Sequence, residues 1–127
     1  MLVDTDVLIW HLRGLALATQ RLDALTNMQL SAVTYMELLQ GMRSKAELIA
    51  LQKSLAKRGA TQLPITPAIT ARAIALMESF SLSHGIGIGD ALIGATALEH
   101  GLSLLTANLK HFGAMDGLSL ERFNPNP

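Results

Sequence analysis

Strand-like apolar runs alternate with segments of helical period along nearly the whole chain, and that alternation restricts the fold more than any other feature. Residues 2–5 form the first short apolar run. Val7 to Leu12 continues as a helix that Gly14 can stop, and Ala16 to Leu25 carries Leu17, Leu22 and Leu25 at helical spacing. MQLSAV, residues 28–33, predicts a second strand. Thr34 to Met42 then reads as a helix ending near Gly41, and a further helix with Leu48, Leu51 and Leu55 runs to Gly59. TQLPI, residues 61–65, is a third strand, followed by a helix opening with Thr66 as cap and Pro67 at its first position. GIGIGD, residues 85–90, feeds a helix over Ala91–His100 that Gly101 terminates. The strand LSLLT, residues 102–106, a helical turn at Leu109–Phe112 and an edge strand in LSLERF, residues 118–123, complete the chain. This order predicts an α/β fold with a mainly parallel sheet of about five strands and helices on both faces. In such sheets ligands bind beyond the carboxyl ends of the strands. Asp4 and Asp6 follow the first strand, and Thr106 and Asn108 follow the fourth.

Charge is scarce. Half of the 127 residues are hydrophobic and 16% are charged, so an acid inside an apolar run is informative. The length suits one domain, residues 1–123, with NPNP at 124–127 as a short tail. Ten basic and ten acidic residues balance, which argues against binding nucleic acid by bulk charge and leaves local contacts or metal ions for any such partner. The chain has no cysteine, so disulfide and thiol chemistry are excluded, and a reducing, cytoplasmic setting is expected. Its longest uncharged runs, residues 24–36 and 59–71, are too short to span a bilayer, and no signal peptide or membrane association is expected.

In LVDTDVLIW, residues 2–10, Asp4 and Asp6 stand among side chains that belong in a core, where an unpaired carboxylate is costly. An Asp between strand and helix is often an N-cap, but two cannot cap the same helix. Glu37, flanked by Met36, Leu38 and Leu39, reads alone as a solvated helical Glu. Asp90, after Gly-Ile-Gly, reads alone as another N-cap. Taken together, three or four carboxylates at one sheet edge repel one another unless a cation holds them. Oxygen ligands of this kind suit Mg²⁺ or Mn²⁺, which retain open positions for a phosphate.

With LVDTDVLI at the start, SAVTYMELLQG, IGDALIGATALEHGLSLLTAN and the NLKHF turn, the whole chain resembles the PIN-domain nucleases. Among them it is most similar to the small VapC-type ribonuclease toxins of toxin–antitoxin pairs. The resemblance implies a PIN-like three-layer fold and a metal-dependent endoribonuclease that hydrolyses RNA phosphodiester bonds with a water activated by Mg²⁺ or Mn²⁺. It places an acidic quartet on Asp4, Glu37, Asp90 and Asn108. Asp4, Glu37 and Asp90 are the implied metal ligands, and Thr5 and Thr106 are hydroxyl positions near the metal. Asn108 departs from the Asp that many relatives carry and lowers the charge of the site by one. Asp6 stands where many relatives have Asn, as a cap or an outer acid. A homodimer and a cognate antitoxin, whose tail covers the cleft, are implied partners.

Other features carry less. Arg43, Lys45, Lys53, Lys57 and Arg58 read as a solvated helix face or as a guide for an RNA backbone. His11, His84, His100 and His111 share no metal-ligand spacing and suit surface or cap roles, although Lys110 and His111 lie close enough to Asn108 to touch substrate. Met28, Met36 and Met42 suit a core or an interface. A receiver-type phosphotransfer domain would need an Asp at the end of the third strand, which TQLPITP lacks. A haloacid-dehalogenase-like phosphatase would use Asp4 and Asp6, but GDALIGA lacks the second acid of the later motif. A PIN fold kept as a weakly catalytic or inactive RNA-binding or interaction module is the remaining alternative.

Overall fold

The computed structural model describes residues 1–127 and contains one five-stranded, all-parallel sheet. Its strands are β1 (Leu2–Val3), β2 (Gln29–Ser31), β3 (Thr61–Leu63), β4 (Leu104–Thr106) and β5 (Leu120–Arg122), in the spatial order β3-β2-β1-β4-β5. The helices are α1 (Thr5–Leu12), α2 (Ala16–Asp23), α3 (Ala32–Gln40), α4 (Lys45–Lys57), α5 (Pro67–His84), α6 (Ile88–His100) and the short α7 (Leu109–Phe112).

Side-chain alternation along the central strands divides the interior into two cores, one on each face. Leu2 and Leu104 enter the core formed with Ile69, Ala73, Ile93 and Phe112, from α5, α6 and α7. Val3 and Leu105 enter the opposite one with Val7, Ala18, Leu22 and Leu51, from α1, α2 and α4. The three-layer arrangement thus follows from two adjacent pairs of apolar residues, and all four are fully buried. β1 is paired on both sides, with Leu2 opposite Gln29 of β2 and opposite Leu104 of β4.

The strands are shorter than the apolar runs, because the residues that follow them already cap helices. β1 ends at Val3 rather than residue 5, since Asp4 is the N-cap of α1. β2 ends at Ser31, whose hydroxyl accepts from the Val33 amide and starts α3 two residues earlier than the sequence suggests. The third strand stops at Leu63, ahead of Pro64, which has no amide to continue the ladder. The expectation for α6 needs the clearest correction. It begins at Ile88, not Ala91, with Gly87 as N-cap, so Asp90 occupies its third position. Small residues let α6 sit deep between α5 and the sheet, and a Cβ on Gly94 would overlap the Met115 sulfur.

Candidate active site

Asp4 is held at the carboxyl end of the central strand by two donors. The Thr5 amide donates to Oδ1 at 2.8 Å and the Thr106 hydroxyl to Oδ2 at 2.7 Å, tying residues 102 positions apart. The side chain has only 5% of its surface exposed. Burial, then the neighbouring charge of Asp6, push its carboxyl up to about 8 despite these bonds. Asp6 lies two residues further on, in the first turn of α1, and is also shifted upward, chiefly by burial. Its Oδ2 accepts from the Ala107 amide at 3.2 Å, so it braces the loop after β4 and caps no helix. Its Oδ1 is buried with no hydrogen-bond partner.

Glu37 arrives from α3. Its Oε1 accepts from the Thr5 hydroxyl at 2.8 Å, and that hydroxyl also lies 3.0 Å from the hydroxyl of Thr34. The other oxygen rests against the first turn of α6, where a Cβ on Gly89 would stand 2.9 Å from Oε2. A glycine is needed for this approach, which also sets a carboxylate beside the positive end of a helix. Although Glu37 is exposed overall, its head group is bonded into the acidic cluster.

Asp90 is not the N-cap of α6. From the third position its Oδ2 reaches back to the Gly87 amide at 3.3 Å, the carboxylate half of a capping box. The same oxygen lies 2.7 Å from His111 Nδ1 on α7. Asn108 is the N-cap of α7, where its Oδ1 accepts from the His111 amide at 3.2 Å. Its own amide donates to Thr106 Oγ1 at 2.9 Å, joining the Asp90–His111 pair to the group around Asp4. Asp4, Thr5, Asp6, Glu37, Asp90, Thr106 and Asn108 thus assemble at one end of the sheet. Asp90 is close enough for its charge to raise Asp6 further.

Sequence reasoning gives His111 a surface or cap role, or a place beside Asn108 within reach of substrate, and the structure puts it in contact with an acid of the cluster. His11 and His84 instead bond locally, to Thr19 and Ser83. The basic stretch is a solvated face. Lys45, Lys53 and Lys57 are exposed, while Arg43 pairs with Glu47 and Arg58 with Asp23. Met36 is 51% exposed and is therefore no part of the core, in contrast to the buried Met28. From Glu37 a groove of about 620 Å³ leads away between α1 and α3, with Ile9, Leu12, Arg13, Met42 and Arg43 in its walls. Arg13, at the end of α1, carried no motif that marked it in the sequence.

As the side chains stand, no three acids or histidines converge into a complete metal cage. The site nevertheless fits a hard divalent ion. Its donors are all oxygens, the buried Asp6 Oδ1 has no protein partner, and two adjacent carboxyls are displaced upward chiefly by burial. Mg²⁺ needs only one or two carboxylates because it keeps several waters.

The PIN domain family model matches residues 1–118. Ribonuclease VapC10 of Mycobacterium tuberculosis is 39% identical over 122 residues, 93% of this chain and 90% of its own, and ribonuclease VapC19 of the same organism is 34% identical over 116 residues, 87% and 90%. The fold superposes on a chain of a toxin–antitoxin complex from Klebsiella pneumoniae with a TM-score of 0.78 and 29% identity, covering 98% of this chain and 96% of that one. The chain belongs to the PIN domain family, within its VapC-type branch.

Proposed function

We propose that this protein is a divalent-metal-dependent endoribonuclease and the toxin of a toxin–antitoxin pair. The observation that carries the reading is the buried Asp4–Asp6 pair, one oxygen of which, Asp6 Oδ1, has no partner, and which has no basic side chain to neutralise it. Relatives named as VapC ribonucleases, and a structural neighbour described as a toxin–antitoxin complex, support the substrate class and the partner. Asp4, Glu37 and Asp90 would hold Mg²⁺ or Mn²⁺, with Asp6 close by. When bound, such an ion polarises a phosphodiester and lowers the pKa of an attacking water.

The chain's own residues divide the remaining work. Thr106 holds Asp4 and receives the Asn108 amide, so the loop after β4 fixes the central carboxylate. Thr5 orients Glu37, and Gly89 keeps the approach to Glu37 open. Asn108 commits its side-chain oxygen to capping α7 and acts as a strut rather than a fourth anionic ligand. Arg13, in the wall of the groove that begins at Glu37, supplies positive charge for an RNA backbone, while Arg43 in the same wall is paired with Glu47. The same groove gives a tail of a cognate antitoxin a path to the acids. A homodimer and a cytoplasmic location complete the proposal; no helix is long and apolar enough to cross a membrane.

Purified protein should cut RNA, lose that activity in EDTA and regain it with Mn²⁺. Expressed alone it should arrest growth, and a co-expressed neighbouring antitoxin should relieve the arrest by forming a stable complex. Cleavage undiminished by EDTA would overturn the mechanism, and RNA binding without cleavage or arrest would favour the inactive module.

A smaller substitution tests the placement of Glu37. In Gly89→Ala the new methyl lies 2.9 Å from Glu37 Oε2 and should push that carboxylate aside. Helix propensity favours alanine by up to about 1 kcal/mol, so melting should be little changed, whereas activity should fall roughly 10-fold or more, as when the support of a metal ligand is disturbed. Full activity in Gly89→Ala would remove Glu37 from the site.

A further inference from the structure

We propose that His111 is a positioning residue that locks the Asp90 carboxylate with one oxygen turned toward the metal; this rests on the metal role of Asp90 proposed above. Both bonds to Asp90 converge on Oδ2, from the Gly87 amide at 3.3 Å and from His111 Nδ1 at 2.7 Å. Oδ1 makes no bond within the protein. The backbone bond is long, so the imidazole is the stronger tether. Without it, Asp90 has only the loose hold of its own helix and is free to turn either oxygen to the Gly87 amide.

His111 is itself rigidly placed. Its amide is capped by Asn108, and the next residue, Phe112, is fully buried in the core beneath α6. The four-residue helix α7 therefore works as a bracket, pinned by Phe112 and carrying the imidazole over the first turn of α6. Asn108 Nδ2 also lies 2.9 Å from the same ring nitrogen. An ionised carboxylate only accepts and an amide N–H only donates, so Nδ1 serves Asp90 when it carries the proton and Asn108 when it does not. The bond to Asp90 therefore requires the Nδ1–H form, and the bond from the His111 amide to Asn108 Oδ1 places the residue in either form.

The test is a Mn²⁺ titration of the full chain, followed by thermal melting, for wild type, His111→Ala, His111→Asn, His111→Gln, Asp90→Asn and the Asp90→Asn/His111→Ala double variant. Asparagine places an amide N–H near the position of Nδ1, and glutamine places it near Nε2. His111→Ala and His111→Gln should weaken apparent Mn²⁺ affinity by roughly 10- to 100-fold, the usual cost of losing a partner of a metal ligand, while His111→Asn retains most of it. The double variant should bind no more weakly than Asp90→Asn alone, because His111 acts through Asp90. Wild-type affinity in His111→Ala alongside a loss in Asp90→Asn would overturn the role of His111 alone. So would equal behaviour of the Asn and Gln variants, which differ only in reach, or additive losses in the double variant. Unchanged affinity in Asp90→Asn would overturn the metal role of Asp90 and this inference with it.

Discussion

Asp4→Asn should lower RNA cleavage by roughly 100-fold or more while leaving the metal-free protein as stable as before, or more stable by a few degrees at pH 8. The loss follows from removing charge at the buried centre of the site, where a bound metal contributes several kcal/mol to transition-state stabilisation. The stability effect follows from linkage. The carboxyl is pushed up from 3.8 to about 8 in the folded protein, so between those values the native state holds a proton that the unfolded chain releases. Its favourable contribution is complete below pH 3.8 and is lost as pH rises toward 8. An amide does not titrate, so the advantage of Asp4→Asn over wild type should grow across that window and vanish at its acid end. Melting both proteins without metal from pH 4 to pH 8 reads this directly. Asp90→Asn should also remove most activity, whereas the exposed Asp116→Asn should be nearly silent. A destabilisation by Asp4→Asn that is the same at every pH would show that Asp4 is only a helix cap.

Mn²⁺ should stabilise the wild-type protein strongly and in a pH-dependent way. At a hundredfold excess over Kd the gain is about 2.7 kcal/mol, or roughly 10 °C for a domain of this size. Because the ion competes with the proton shared by the Asp4–Asp6 pair, its apparent affinity should weaken as pH falls below 8, and binding near neutral pH should release protons into the buffer. Calorimetry in two buffers of different ionisation enthalpy measures that release. Stabilisation by Mn²⁺ that is equal at pH 6 and pH 8 would separate the metal from this pair of acids.

Local punctuation was the most legible part of the chain. Thr66 and Pro67 open α5, Gly101 closes α6 in the left-handed conformation at φ 62°, and the α7 turn falls on Leu109–Phe112 as expected. Strand ends were less legible, because Asp4 and Ser31 continue apolar runs in sequence while their side chains already serve helices. The sequence pattern places the start of α6 at Ala91, and Asp90 taken alone suggests an N-cap, since Gly-Ile-Gly looks like a loop and nothing local reveals that Gly87 begins the helix. The site residues could be gathered from motif spacing, but their division of labour depends on contacts between distant segments. The Asp6 bond to Ala107 and the His111 bond to Asp90 have no signature in either segment alone. Of the two readings of Met36, core or interface, its exposure rules out the core, since an apolar residue on a half-buried helix need not face inward.

The pairing of β1 with β4, reinforced by the Thr106 bond to Asp4, has a consequence for the order of events in synthesis. A ribosome releases Asp4 into solution long before it has made residues 104–106, so the first acid of the site waits without its neighbour strand or its hydroxyl donor for most of translation. A chain interrupted between Asp90 and β4 carries Asp4, Asp6, Glu37 and Asp90 but lacks the Thr106 hydroxyl, which leaves the Thr5 amide as the one donor to the central carboxylate. With Asp4 at the centre of the proposed site, hydrolytic competence is expected only once the C-terminal strands have been made, so a nascent fragment should leave the messenger that encodes it uncut.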